Sequence, residues 1–156
     1  MTALLSPAVV LALAACTGAD RPPASDAADS LATALAGLDL TGVALATDTS
    51  ADPQAHLVEV TEPLVEAAGG EPAVTVAEVT EVAEESDDAP PTAEVTLAWS
   101  WPLDGDQTWE YTTTTELVWA APPEGSEEPG AWQTRWDTDL AVPGLRAGER
   151  LAVEEL

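Results

Sequence analysis

The sequence predicts an α+β fold in which two helices come first along the chain and an antiparallel sheet follows them. Apolar residues recur at helical spacing in the first half of the chain. From residue 73 onward they alternate with polar residues in four separate stretches. Segments rich in acidic residues, proline or glycine separate these stretches, as is typical of strands joined by turns.

The first helix is predicted over residues 25–38, where three leucines recur on one face. Ser25 or Asp26 is expected to supply the N-cap, since short polar side chains accept hydrogen bonds from free amides at a helix start. Gly37 marks the expected end of the helix.

The second helix is predicted to begin at Asp52 and Pro53, which form a good N-cap and first-position pair. Leucine and valine residues then recur on one side. Pro63 is expected to kink or split this helix because proline lacks an amide hydrogen. Gly69 and Gly70 are expected to stop it.

The four strands are predicted from period-two alternation. The first covers residues 73–82, with a slip near Ala77 that predicts a β-bulge. The second and third cover residues 94–101 and 107–119, where the alternation is clean. The fourth is predicted from the alternating set Trp132, Thr134 and Trp136.

The strongly acidic composition of the chain bears on its partners. It has 29 acidic residues, four arginines and no lysine among its 156 residues, for a formal net charge of −25. Such a surface repels phosphate backbones, so nucleic acid is not expected as a partner. The hydrophobic fraction of 46% and its regular patterning favour a folded domain over a disordered acidic chain.

The N-terminus predicts export and lipidation. Residues 1–15 contain an apolar run that is too short to span a bilayer comfortably and is typical of a signal peptide. The run ends in Leu13-Ala14-Ala15-Cys16, which looks like a bacterial lipobox, so Cys16 is the predicted lipid attachment site. Residues 16–25 form a polar, proline-containing tether. The expected location is the extracytoplasmic face of a bacterial membrane, with the lipid anchor as the contact with that membrane.

The C-terminal third carries a family resemblance. Trp109 and Tyr111 form a Trp-x-Tyr strand, a hairpin follows, and Trp132 and Trp136 form a Trp-x-x-x-Trp strand. The chain then leaves through Val142-Pro143-Gly144-Leu145-Arg146-Ala147-Gly148-Glu149-Arg150-Leu151. This pattern resembles the N-terminal, non-penicillin-binding domain of class B penicillin-binding proteins of the methicillin-resistance type. Val142 stands where that family has a histidine.

The resemblance covers residues 26–156 and is strongest from Val95 onward. It implies a cone-like, nuclear-transport-factor-2-like fold in which helices pack on a curved sheet. It also implies a non-catalytic spacer associated with cell-wall synthesis and the response to β-lactam antibiotics. Its expected partners are a penicillin-binding transpeptidase module and peptidoglycan. Because that family normally continues past this exit into the transpeptidase, the chain is expected to be a fragment, a truncated product or a stand-alone relative.

Catalysis is not expected of this chain. The transpeptidase motifs Ser-x-x-Lys and Lys-Thr-Gly both need a lysine, and the sequence has none. The single histidine, His56, falls in a predicted helix without a marked nucleophile. Zinc prefers cysteine and histidine ligands, and with Cys16 acylated only His56 remains, so neither a metal nor another cofactor is expected.

The aromatic residues of the strands have two interpretations. They are most simply sheet packing. Alternatively they line a concave pocket, with Trp99, Trp109, Tyr111 and Trp136 as its predicted lining.

Two other functions therefore stay open beside the spacer. One is a free-standing lipoprotein that binds a small ligand or a cell-wall partner in its cone, for which a wide apolar cavity would be expected. The other is a small isomerase or dehydratase, with Asp137 and Asp139 as acid or base groups in a pocket. A dry interior filled with tryptophan would instead favour the spacer.

Overall fold

The computed structural model describes residues 21–46, 52–82, 89–103, 106–146 and 148–152. The predicted signal peptide and Cys16 lie outside these residues. The described elements are α1 (Ala24–Ala36), α2 (Pro53–Ala68), β1 (Ala73–Val82), β2 (Thr92–Leu103), β3 (Gln107–Ala120), β4 (Ala131–Thr134) and a short 3-10 helix (Thr138–Leu140).

The four strands form one antiparallel sheet in chain order, β1-β2-β3-β4. Both helices pack against this sheet, so the predicted α+β class is confirmed. Alternate residues of β2, from Ala93 to Trp101, are buried, and the buried leucines of α1 and α2 belong to the same apolar core. The opposite face of the sheet carries mainly threonine, serine, alanine and glutamate, which explains the clean period-two pattern of the sequence.

The predicted bulge lies in β1. Val76 pairs with Leu97 and Glu78 pairs with Thr96, so Ala77 is the extra residue. Because the bulge shifts the alternation, Glu81 pairs with buried Ala93 and its side chain reaches the start of α1.

That contact corrects the predicted cap of α1. The helix begins at Ala24, within the predicted tether, and its N-cap Pro23 makes no side-chain capping bond. Instead the amide of Ala24 donates to Oε1 of Glu81 at 2.9 Å. A carboxylate from a distant strand therefore does what was expected of Ser25 or Asp26, with the favourable charge for a helix N-terminus.

Helix α2 begins as predicted but is not split. The side chain of Asp52 accepts from the amide of Ala55, and Gly69 ends the helix with a left-handed φ of 65°. Pro63 lies inside one continuous helix. Val60 and Leu64 are buried on either side of it, so packing on the sheet holds both halves in place despite the missing hydrogen bond.

Strand β4 is shorter than predicted and does not reach Trp136. After Thr134, the amide of Arg135 still donates to the carbonyl of Glu116 at 2.9 Å. The chain then turns, because Oδ1 of Asp137 accepts from the amide of Asp139 and begins the 3-10 helix. Trp136 therefore follows the sheet instead of forming part of it.

The free edge of β4 is covered locally. The amide of Thr134 donates to the carbonyl of Ala44, and the amide of Ala46 donates to the carbonyl of Thr134. This short parallel pairing protects an edge that would otherwise be open to another chain.

Among the described helices, none is both long and apolar enough to cross a bilayer.

Candidate functional site

Four aromatic side chains meet where β2 and β3 face the helices. Trp99 pairs with Tyr111 and Trp101 pairs with Trp109 across the two strands. The ring of Tyr111 stacks on Trp99 at 5.8 Å between centroids and lies 4.6 Å from the centroid of Trp109. The structure thus brings together three of the four residues predicted to line a pocket, and it adds Trp101, which shares their alternation.

The polar atoms of this cluster bond within the protein. Nε1 of Trp99 donates to the hydroxyl of Thr113 at 2.9 Å. Nε1 of Trp101 donates to the hydroxyl of Tyr111 at 3.0 Å, and that hydroxyl donates to the carbonyl of Ala141 at 2.7 Å. Because the indoles of Trp99 and Trp101 and the hydroxyl of Tyr111 all donate hydrogen bonds, these three side chains behave as packed core with a satisfied polar chain. Its use as a ligand pocket stays a prediction.

The tryptophans differ in how far they are shielded from solvent. Trp99 and Trp101 are 1% and 0% exposed, whereas Trp109 and Trp136 are half-buried. Trp109 lies near the turn that joins β2 to β3, and Trp136 lies beyond the end of β4. Alternation in the sequence predicts which face of the sheet a side chain lies on, but not whether a helix covers it there. It therefore could not separate the buried tryptophans from the half-buried ones.

Burial raises the pKa of Tyr111 to about 12, against an ordinary value of 10.0, although the hydrogen bond from Trp101 acts in the opposite direction. The phenolate would lose the favourable donation to Ala141 and would sit in a poorly hydrated site.

Tyr111 is expected to couple stability to high pH. Its folded pKa lies above its unfolded value, so its contribution is fully present below pH 10 and is lost as the pH rises towards about 12. It is the single tyrosine of the chain, so its ionisation can be followed by ultraviolet absorbance alone. Tyr111→Phe should remove the absorbance change and the steep loss of stability in this window. An unshifted titration at the ordinary tyrosine pKa would contradict the buried hydrogen-bonded hydroxyl.

Trp136 contacts His56 instead of the aromatic cluster. Their ring centroids are 5.9 Å apart and the rings are nearly perpendicular, at 82°. Among the described residues, two buried side-chain nitrogens have no hydrogen-bond partner, Nδ1 of His56 and Nε1 of Trp136. Each such atom costs about 1–3 kcal/mol in stability when it is left unmatched.

The two carboxylates considered as acid or base groups are not desolvated. Asp137 and Asp139 are both exposed, and Asp137 is engaged in capping the 3-10 helix. They line an open depression with Arg135, whose guanidinium pairs with Glu116 at 2.7 Å. Within the described ranges, no three histidine, cysteine or acidic side chains are grouped to hold a metal ion.

The exit segment, residues 142–151, is described except for Ala147, and its first residues pack onto the core. Val142 and Leu145 are buried, and the amide of Leu145 donates to the carbonyl of Val142 at 3.3 Å. Gly144 has a φ of 78°, a left-handed conformation that favours glycine in this turn. Farther along, Arg150 pairs with Glu59 of α2 at 2.9 Å. The motif that carries the resemblance is thus a structural segment that ends against α2.

The segment before α1, residues 21–23, is also held against the domain, through contacts with Trp132. Nε1 of Trp132 donates to the carbonyl of Pro22 at 2.9 Å. The guanidinium of Arg21 lies 5.6 Å from the centroid of the Trp132 ring, within reach of a cation–π interaction. Trp132 is in turn held edge-on by Trp119 at 5.5 Å. Trp132 of β4 therefore holds the segment that precedes α1 against the domain.

Comparison with known proteins returned no match to this chain among protein-family models, curated proteins or solved structures.

Proposed function

We propose that this chain is a non-catalytic extracytoplasmic spacer domain of a penicillin-binding protein, with a nuclear-transport-factor-2-like cone. Its role is to hold a transpeptidase module away from the membrane and towards peptidoglycan. The exit pattern from Val142 to Leu151 and the paired tryptophan strands support the family. The α+β arrangement of two helices on a four-stranded antiparallel sheet is compatible with it.

The observation that carries the proposal is that the segment before α1, residues 21–23, and the exit segment are both held against the same domain. Residues 21–23 are held by Trp132, and the exit segment is held by the buried Val142 and Leu145. A spacer acts by position, because tethering raises the effective concentration of its cargo only when the linkage has the right geometry. Attachment of both segments to one domain serves that purpose.

The interior also supports a role without chemistry. Trp99, Trp101 and Tyr111 donate their hydrogen bonds within the protein, and the two candidate carboxylates are exposed. With no lysine in the sequence, a serine acylated by the mechanism of the family would have no group to accept its proton.

Native isolation tests this proposal. Cells that encode the chain are treated with a fluorescent penicillin, the membranes are solubilised gently, and the chain is isolated through an affinity tag. We expect a penicillin-labelled transpeptidase in the isolated material, either as a separate band or as a longer polypeptide that contains this chain. Isolation in good yield without any labelled band would overturn the spacer proposal.

Lipidation of Cys16 gives a separate prediction. Changing Cys16→Ser should release the protein from the membrane fraction, because the thiol that would carry the acyl chains is gone. Detergent phase partitioning of the two proteins measures this, and Ser6→Ala within the predicted signal peptide is the matched control. Unchanged partitioning of the Cys16→Ser variant would sink the anchor assignment without touching the fold.

A further inference from the structure

The strand β1 lies at an open edge of the sheet. It is ten residues long and pairs with β2 on one side. Among the described residues, no segment pairs with its outer side. The opposite edge differs, because β4 has only four residues and pairs with the segment around Leu45. A long open edge presents a row of amide and carbonyl groups to which another strand can bond.

The register of the sheet shows which backbone groups of β1 point outward. The amide of Trp119 donates to the carbonyl of Pro91, so odd-numbered residues of β2 bond to β3 and even-numbered residues bond to β1. The β1 residues opposite odd-numbered residues of β2 therefore direct their amides and carbonyls to the open side. These residues are Val74, Val76, Val79 and Glu81. Within the described ranges, their backbone groups have no hydrogen-bond partner.

The side chains of β1 determine which strand would fit beside it. On the helix side, Val76 and Val79 are half-buried at the border of the core. On the opposite face, Thr75, Glu78 and Thr80 are exposed. Side chains of neighbouring strands lie next to each other on the same face of a sheet. A fitting strand therefore alternates apolar residues on the helix side with polar residues on the other face.

The charge of the exposed face selects among such strands. Glu78 lies on β1, Glu94 of β2 pairs with Thr80, and both glutamates are exposed. Neither strand contains a basic residue. Opposite charges on neighbouring strands favour pairing and like charges disfavour it. A second copy of the chain would bring another acidic strand and another net charge of −25, whereas lysine or arginine would complement this face.

We propose that the outer edge of β1 binds an extended polypeptide segment in which apolar residues alternate with lysine or arginine. The segment adds a fifth strand to the four-stranded sheet. Backbone hydrogen bonds give this kind of pairing its affinity, and the alternating side chains give its specificity. The bulge at Ala77 twists the edge, which disfavours pairing with a long flat strand. This binding surface is additional to the spacer role and independent of it.

Amide hydrogen exchange, measured by NMR on the isotope-labelled chain, tests the edge residue by residue. In the free chain, β2 should protect the amides of Thr75 and Thr80, whereas those of Val76 and Val79 should exchange freely. The probe is a decapeptide in which valine alternates with lysine and threonine. At a concentration about ten times its Kd, this peptide should slow exchange at Val76 and Val79 by about tenfold.

Two control peptides separate strand pairing from attraction between charges. The first has glutamate in place of each lysine. The second keeps the lysines but is N-methylated at each central residue, so neither of its edges can donate ladder hydrogen bonds. We expect neither peptide to slow exchange at Val76 or Val79.

A pair of variants of the chain tests the charge selection. Glu78→Gln should weaken binding of the lysine peptide by about threefold, the effect of losing one exposed ion pair. Glu110→Gln is the matched control, because Glu110 is exposed on β3, which β2 separates from the open edge. It removes the same charge and should leave the affinity unchanged.

Unchanged exchange at Val76 and Val79 with the lysine peptide would overturn the proposal. Equal slowing by either control peptide, or equal losses from the two glutamate variants, would show general attraction to an acidic chain and would also overturn it. Slow exchange at these amides in the free chain that increases with protein concentration would assign the edge to a second copy instead.

Discussion

Replacing Trp101 with alanine is expected to bring the domain close to unfolding. Its side chain is 0% exposed and its indole donates to the hydroxyl of Tyr111 at 3.0 Å. Removing a buried tryptophan of this kind costs about 3–5 kcal/mol, from lost burial and the cavity left behind. Domains of this size have roughly 5–15 kcal/mol in total, so the loss is a large share of the stability.

Trp109→Ala is the matched control for this substitution. Trp109 lies directly opposite Trp101 in the register of β2 and β3, but it is half-buried. Its removal should therefore cost less than the range given for Trp101. Urea unfolding followed by circular dichroism measures both variants, and equal losses for the two would show that the packing near the hairpin has been assigned wrongly.

Gly130→Ala is expected to destabilise the domain through a steric collision. A methyl group at this position would collide with Cζ2 of Trp119 and lie 2.8 Å from the carbonyl oxygen of Ala120. Neither neighbour can yield freely, because Ala120 pairs with Ala131 in the sheet and Trp119 supports Trp132. Overpacking of this kind costs about 1–3 kcal/mol. It should also loosen the hydrogen bond from Trp132 to Pro22, and with it the N-terminal attachment.

Gly70→Ala separates the collision from any general effect of replacing glycine. A methyl group added at Gly70 would meet nothing within 4 Å, and this residue does not have a positive φ. Its replacement should change stability by about 0.5 kcal/mol or less. Thermal unfolding compares the two variants, and proteolysis near residue 22 reports on the N-terminal attachment. A Gly130→Ala protein as stable as the Gly70→Ala protein would contradict the close packing around Trp119.

Local sequence patterns predicted β1, the bounds of α2 and the buried face of β2, because these features depend on neighbouring residues. β1 has the predicted bounds and its bulge lies at Ala77, since a slip in a period-two pattern leaves few other arrangements. Asp52 and Gly69 bracket α2 as expected, because caps depend on neighbouring residues. The run of alternate buried residues in β2 also follows directly from its alternation.

Long-range contacts decided the remaining features, and sequence rules do not contain them. Glu81 caps a helix that begins 57 residues earlier, so the local candidates Ser25 and Asp26 were the wrong choice. Pro63 lies within an unbroken α2 because the core packs on both sides of it. In the candidate site, Trp136 contacts His56 and not the predicted aromatic group. The turn that begins at Asp137 ends the strand before Trp136, and the alternation of the sequence does not reveal this turn.

The claim that this chain contributes position and no chemistry is tested most directly by its reaction with a β-lactam. The purified chain is incubated with a fluorescent penicillin beside an active penicillin-binding transpeptidase, and both are separated by denaturing gel electrophoresis. The chain has no lysine to activate a serine, and its one histidine contacts Trp136. We expect a labelled band for the transpeptidase and none at the 16.1 kDa mass of this chain. A covalent, penicillin-dependent band at that mass would contradict the non-catalytic account.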